Sequence, residues 1–318
     1  MIERLINKLN SISSIKPNTF LVEKFETYQN HYIGIDNEKN VALLINNINS
    51  QNKIIAAFKG KNLEVYFDKN VELTDDNGYM NSRFTVLKLV NNSKNAQWYF
   101  IKICSLLLDN LGEIPEISNV EKEVKSLKDI FSNLNKKPLK DEIGLWGELF
   151  VISIQENIEL AVKAWHVSNT NRIDFNDGKN KLEIKTTTSN VRKHNFKLNQ
   201  LRTHFKENVL IGSVITEEID NGISVMDLIN KIENTLDTNL SYLFNLKLSD
   251  CLGEDFFNVE FKFFDFTFAF NNFLLFRAQD IPSIEIEYVP NDVTDVQFMS
   301  KLDESSCITF IKVSQIFS

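Results

Sequence analysis

Apolar and polar positions alternate through much of the first third of the chain, in short runs separated by polar turns. VALLIN at 41–46, KIIAAF at 53–58, NLEVYF at 62–67 and FTVLKLV at 84–90 have the length and β-branched or aromatic content of strands. Asp75-Asp76-Asn77-Gly78 reads as a turn between two of them. From about residue 95 the apolar spacing becomes helical, in NAQWYFIKICSLLLDNL, and it ends near residue 111. The charged stretch 113–140 contains Pro115, Pro138 and the helix-like EKEVKSLKDIFSNL. It reads as a helical linker between a β-rich N-terminal domain, 1–112, suited to recognition or subunit contact, and a second domain, 141–318. In the second domain a helix (DEIGLWGELFVISIQ) leads to a strand-like AVKAWHV, a hairpin at 172–185 and a helix from about 198 to 206. A strongly apolar strand, NVLIGSVIT, and a helix from about 224 to 236 follow, with strand-like runs at VEFKFFDFTF, SIEIEYV and CITFIKV. Helices alternating with strands predict an α/β (α+β) layer architecture.

The hairpin RIDFNDGKNKLEIK combines a strong turn signal, Asp177-Gly178, with strict alternation on both sides. A two-residue loop pairs Asn176 with Lys179, sets Asp174 opposite Lys181 and Arg172 opposite Glu183, and makes Asp174 and Glu183 diagonal neighbours. Ile173, Phe175, Leu182 and Ile184 then share an apolar face; Arg172, Asp174, Lys181, Glu183 and Lys185 share the other. A one-residue slip would put Asp174 among the apolar set, so burial itself favours this arrangement. Two converging carboxylates need a cation between them, and hard oxygen donors suit Mg²⁺, which keeps several waters and accepts a phosphate oxygen. Lys185, two residues along the same face, can hold an attacking water or offset developing negative charge. E-x-K alone is common, as at Glu123-Val124-Lys125 and Glu260-Phe261-Lys262, and a solvated charged face is the plainer reading of such a hairpin. What sets 183–185 apart is a hairpin that delivers an aspartate to the same face.

The preceding helix adds to this. Gly144 and Gly147 are two of ten glycines in the chain, and each costs a helix about 1 kcal/mol relative to Ala. Close approach of this helix to the sheet would offset that cost and aim Glu148 at the charged face.

Charge and cysteine usage narrow the class further. The net charge is −8, but residues 1–112 carry 13 Lys and Arg against 11 Asp and Glu, so the acidity lies in the rest. Within that acidic part, 184–206 holds Lys185, Arg192, Lys193, Lys197, Arg202 and Lys206, two histidines and no carboxylate. Such a local basic stripe reads either as a solvated face or as a phosphate-binding footprint, because contact electrostatics act within a Debye length of about 8 Å. Cys104, Cys251 and Cys307 are widely spaced, without a C-x-x-C pair, which argues against a disulfide framework or a structural zinc site. The N-terminal MIERLINKLNSI has no continuous apolar core, and no apolar run approaches about 18 residues. The expectation is a cytoplasmic protein with no membrane association.

The order helix with Glu, strand with Asp, strand with E-x-K, then helix resembles the PD-(D/E)XK nuclease superfamily. The chain is most similar to the bacterial defence-associated family named for that motif, through GLWGELF, IDF…LEIKTTT, KHNFKLNQL and DIPSIEIEYVPNDVTDVQF. The resemblance implies a restriction-endonuclease-like core, a mixed central sheet flanked by helices, with the β-rich N-terminal region appended. It implies Glu148, Asp174 and Glu183 as ligands of Mg²⁺, with Mn²⁺ as a substitute, and Asp174, Glu183 and Lys185 as the catalytic set. Ile173 stands where the founding motif has Pro, a change that bears on the turn and not on the metal. Arg192, Lys193, His194, Lys197, Gln200 and Arg202 are the expected nucleic-acid contacts, with Gln200 also placed to orient the metal site. The implied activity is Mg²⁺-dependent cleavage of double-stranded DNA by the nuclease subunit of a restriction-like system. The implied partners are a homodimer mate, an ATPase and a methyltransferase. No G-x-x-x-x-G-K-[ST] occurs, so an ATP-driven step would belong to a separate subunit. The rival reading is a non-catalytic nucleic-acid-binding or assembly subunit that keeps the fold; a nuclease-like fold acting on RNA or a nucleotide is a third.

Overall fold

The computed structural model describes residues 16, 18–25, 27–75, 78–91, 93–167, 173–201, 209–293, 295–309 and 311–317. Contacts divide the chain into two compact units, 1–138 with 252–259 and 139–251 with 260–318.

In the first unit six strands, β1 Thr19–Phe25, β2 Tyr28–Ile35, β3 Val41–Ile45, β4 Phe58–Lys59, β5 Leu63–Asp75 and β6 Gly78–Leu89, lie in the order β1-β2-β3-β6-β5-β4. β1 also pairs in parallel with β5, from Thr19↔Glu72 to Leu21↔Thr74, so the sheet closes on itself and hides both edges of the five longer strands. The alternation seen in the sequence fills its interior with Phe20, Val22, Ala42, Leu44, Val71, Leu73, Phe84 and Val86. Of the run at 53–58 expected as a strand, only Phe58 is in one. Helix α1, Lys94–Leu111, begins where the Ser93 side chain accepts from the Ala96 N–H. Helix α2, Ile117–Asn133, buries Val120, Val124, Leu127, Ile130 and Phe131. That apolar stripe makes the 113–140 stretch largely a packed part of this unit and not a free connector. Residues 252–259 also belong here. Phe256 packs edge-on against Tyr99 at 5.4 Å, and Asn95 Nδ2 donates to the carbonyls of Phe256 and Val259 at 2.9 and 3.0 Å.

The second unit starts with α3, Glu142–Ser153, and α4, Ile158–Ala164, and continues with β7, Phe175–Asn176, and β8, Lys181–Thr187. β9, Lys193–Lys197, runs directly into the short helix α5, Leu198–Leu201, and then comes β10, Val209–Ile215. The remaining elements are β11, Glu218–Ile223; α6, Val225–Glu233; α7, Thr238–Leu252; α8, Phe266–Asn271; β12, Leu274–Arg277; and β13, Gln297–Lys301. The main sheet has the order β12-β10-β8-β7 and is mixed: β10 is parallel to β8 and antiparallel to β12, and β7 is antiparallel to β8. β10 is buried along its whole length, as its unbroken apolar run requires of a central parallel strand. β9 and β13 form a separate antiparallel ribbon.

Two expected strands are helical in part, for local reasons. The Asn157 side chain accepts from the Leu160 N–H and starts α4 ahead of the run read as AVKAWHV, so Ala161–Ala164 are helical and Trp165 bridges Phe175. Asp265 caps α8 in the same way, accepting from the Phe268 N–H at 2.9 Å, so the phenylalanine-rich run ends in a helix from Phe266, while Phe264 only bridges Glu218 and Ile223. The segments SIEIEYV and CITFIKV carry no strand among their described residues. The expected helices at 141–155 and 224–236 are present as α3 and α6, capped by Asp141 and by a Ser224–Asp227 capping box.

Candidate active site

Asp177 shapes the hairpin more strongly than its dipeptide suggests. Its carboxylate accepts from the N–H groups of Lys179 and Asn180 at 2.8 and 2.6 Å, and Gly178 takes a φ of 90°. The turn therefore spans four residues, and the pairing is Asn176↔Lys181 and Phe175↔Leu182. Compared with a two-residue loop this is a slip of two, which changes the partners but keeps Phe175, Asn176, Lys181 and Leu182 on their expected faces. Phe175, Leu182 and Ile184 are buried together on the apolar side. Asp174 lies just before β7, where its carboxylate reaches the backbone of β8 next to Glu183, accepting from the Ile184 N–H. Arg172, expected opposite Glu183, lies outside the described residues.

Close packing of α3 on β8 places the other carboxylate. A Cβ on Gly147 would lie 1.8 Å from Thr186 Oγ1, so only glycine lets the helix come this near the strand. Gly144 has a different role, leaving room for the capping Asp141 side chain, 2.5 Å from where its Cβ would be. One turn beyond, Glu148 is 3% exposed, and its Oε2 accepts from the Trp165 indole N–H at 2.7 Å.

Around the hairpin the carboxylates are tied by two lysines. Lys140 Nζ, just ahead of α3, donates to Asp174 Oδ1 at 2.7 Å and to Glu148 Oε1. Asp174 Oδ2 accepts from the Ile184 N–H at 2.8 Å. Lys185 Nζ donates to Glu183 Oε1 at 2.7 Å and lies 5.5 Å from the centre of the Phe196 ring. Gln200 Nε2 donates to the same Glu183 oxygen at 2.5 Å, while Gln200 Oε1 accepts from the Lys197 N–H at 2.9 Å. Burial pushes Glu183 up to about 7, helped by the neighbouring Asp174 charge and opposed by Lys185 and Lys140. Burial, with Asp174 beside it, likewise raises Glu148 well above the usual carboxylate range. Burial disfavours charge on Lys140, but Glu148 and Asp174 outweigh it and hold the ammonium protonated.

The donor set decides how well a divalent cation fits. Asp174, just before β7, and Glu183, on β8, offer hard carboxylate oxygens. Mg²⁺ typically takes one or two protein carboxylates and fills its shell with water and phosphate oxygens, so this pair suits it. A three-carboxylate cluster is not assembled. Among the described residues no group of three or more His, Cys, Asp or Glu side chains is close enough to hold an ion, and Glu148 is engaged by Lys140 and Trp165 instead.

The expected nucleic-acid contacts divide by strand parity. Along β9 Lys193, Asn195 and Lys197 are exposed while His194 and Phe196 are buried. Arg192, expected at phosphate, is 3% exposed. Its guanidinium donates to Ser213 O, Ser213 Oγ and Asn272 O and pairs with Glu304 at 2.9 Å, so it braces β10 from inside. His194, also expected at phosphate, lies inside against Ser213 Oγ at 2.8 Å, and burial, with Lys185 and Arg192 nearby, pushes it down to about 4. A neutral, enclosed imidazole has no charge to offer a phosphate. Gln200 faces Glu183 and not solvent, and Arg202 and Lys206 lie outside the described residues. Lys140 and Trp165 were missed in the sequence, since a lysine beside a boundary proline and a tryptophan in an apolar run carry no signal of their own.

A mixed four-stranded sheet with Asp174 on the approach to one strand and Glu183-x-Lys185 on the next is a nuclease-like core. The chain belongs to the PD-(D/E)XK family: a family model described as "Putative PD-(D/E)XK family member" matches residues 8–303. No curated protein and no solved structure matches the chain. No described helix is long and apolar enough to cross a membrane.

Proposed function

We propose that the chain is a metal-dependent endonuclease that hydrolyses phosphodiester bonds of double-stranded DNA, the cytoplasmic cleavage subunit of a restriction-like defence system. The observation that carries this reading is the grip on Glu183. One buried carboxylate is fixed by Gln200, lies near Asp174, and has the Lys185 ammonium 2.7 Å away. A binding module gains nothing from clustering buried carboxylates where phosphate would approach. A nuclease needs them.

Asp174 and Glu183 would hold the ion, Mg²⁺ or Mn²⁺ by their hard-oxygen character. Bound there, it supplies a Lewis acid beside the scissile phosphate. The chain's own groups do the rest. Gln200 fixes the orientation of Glu183, and the Phe196 ring and the Glu183 carboxylate fix Lys185. The Lys185 ammonium then offsets negative charge as it develops on phosphate oxygens. Lys193 and Lys197, exposed on β9, bind backbone phosphates on either side and carry no sequence preference. One such site cuts one strand, so a double-strand break calls for two copies of the chain. An ATPase and a methyltransferase are the partners such a system would supply.

Plasmid DNA and an RNA of similar length, incubated with the protein in Mg²⁺ and in EDTA, test the reading. DNA should be cut in Mg²⁺ only, and Asp174→Asn should abolish cutting while leaving the thermal unfolding midpoint near that of the wild type. DNA cut equally by Asp174→Asn would remove the site from the reaction, and cutting of RNA alone would replace the substrate.

A further inference from the structure

Two lysines neutralise the carboxylates of this site, and the fold treats them differently. Lys185 projects from β8, a strand hydrogen-bonded into the middle of the sheet, and is pinned by Glu183 at 2.7 Å, the Phe196 ring and Gln200 at 3.4 Å. Lys140 projects from the bend before α3, outside any helix or strand, and is held by the carboxylates it bridges. Its partners are one buried acid, Glu148, and the acid proposed to bind metal, Asp174. The ammonium sits on Asp174 Oδ1, and Oδ2 already accepts the Ile184 N–H. A divalent ion on Asp174 would share that carboxylate with a positive charge at contact distance, and in this weakly screened setting the two repel.

We propose that Lys140 is the resident counter-cation of the site, which gives up Asp174 when a divalent ion loads, so that metal binding is the exchange of one cation for another. This rests on the nuclease reading above and adds to it a determinant of metal affinity. The exchange keeps the charge count in order at both ends. Glu148, 3% exposed and bonded to Trp165, retains Lys140 as its partner, while Asp174 passes from the ammonium to the ion. Lys140 thereby holds together the buried Glu148 and the part-buried Asp174, which would otherwise repel, and competes with metal for Asp174.

Calorimetric titration of Mn²⁺ into the wild type and into Lys140→Met tests the competition, and amine labelling of the wild type, read residue by residue by mass spectrometry, tests the movement. Mn²⁺ should bind Lys140→Met at least tenfold more tightly. In the wild type, labelling of Lys140 should rise severalfold with Mn²⁺, saturating as binding does, while labelling of Lys185 stays constant. Equal or weaker Mn²⁺ binding by Lys140→Met overturns the proposal. Tighter binding with Lys140 labelling unchanged also overturns it, since the lysine is then a fixed charge that is never displaced. Should Lys140→Met fail to fold, Lys140→Gln keeps hydrogen bonding to both carboxylates without the charge and takes its place. A wild type that binds Mn²⁺ and cuts DNA with Lys140 unresponsive sinks this inference alone; a wild type that binds no Mn²⁺ sinks the nuclease reading and this inference with it.

Discussion

Glycine 147 and arginine 192 show at the level of single residues what holds the site. An alanine at 147 would bring its Cβ to 1.8 Å from Thr186 Oγ1, so Gly147→Ala should lower stability by about 1–3 kcal/mol in urea unfolding. Adding Thr186→Ala, which removes the nearest clashing atom, should restore part of that loss. Arg192→Ala strips donors from Ser213 O and Asn272 O inside the fold and should cost about 2–4 kcal/mol by the same measurement. His194 adds a pH dependence. Its folded-state value of about 4 lies below the ordinary 6.5, so the folded protein favours the neutral ring. That preference contributes fully above about pH 6.5 and is lost as pH falls toward 4, by about 3 kcal/mol for a shift of this size. The urea midpoint of the wild type should therefore drop between pH 7 and pH 4.5, and that of His194→Asn should drop less.

At the scale of elements, much of the site was legible in the sequence because it follows from alternation. Glu183 and Lys185 share a face through the alternation of β8, and the parity of the hairpin pairs at 175–176 and 181–182 survived a turn two residues longer than expected. The glycine-bearing helix approaches the sheet at Gly147, as its composition implied. What alternation does not encode is which side of an isolated ribbon faces inward. β9 turned Arg192 and His194 toward β10 because Ser213 and Asn272 offer acceptors there, and no pattern within 192–197 carries that information. The short polar caps Asn157 and Asp265 likewise decide between helix and strand where apolar spacing alone is ambiguous. β9 thus separates two kinds of basic residue. Replacing both Lys193 and Lys197 with Ala should leave stability within about 0.5 kcal/mol and weaken DNA binding, with the slope of log affinity against log salt shallower by about 2. A double variant with an unchanged slope would place the DNA elsewhere.

At the scale of the whole chain, the two compact units are not consecutive pieces of sequence. Residues 252–259 return to the first unit and bury Phe256 and Phe257 there. Removal of 1–138 should therefore leave two phenylalanines without cover and give a fragment that aggregates, and replacing both with serine should improve its solubility on size-exclusion chromatography. The central claim, that a particular set of side chains on β8 performs phosphodiester hydrolysis, is tested most directly by cleavage rates of two lysine variants on that one strand. Lys181 and Lys185 lie on the same face of β8, and Lys185 donates to Glu183 at 2.7 Å. With plasmid DNA and saturating Mg²⁺, Lys185→Ala should cut at least about 100-fold more slowly than the wild type, and Lys181→Ala should stay within a few-fold of it. Equal rates for the two variants, whether both fast or both slow, would contradict the account.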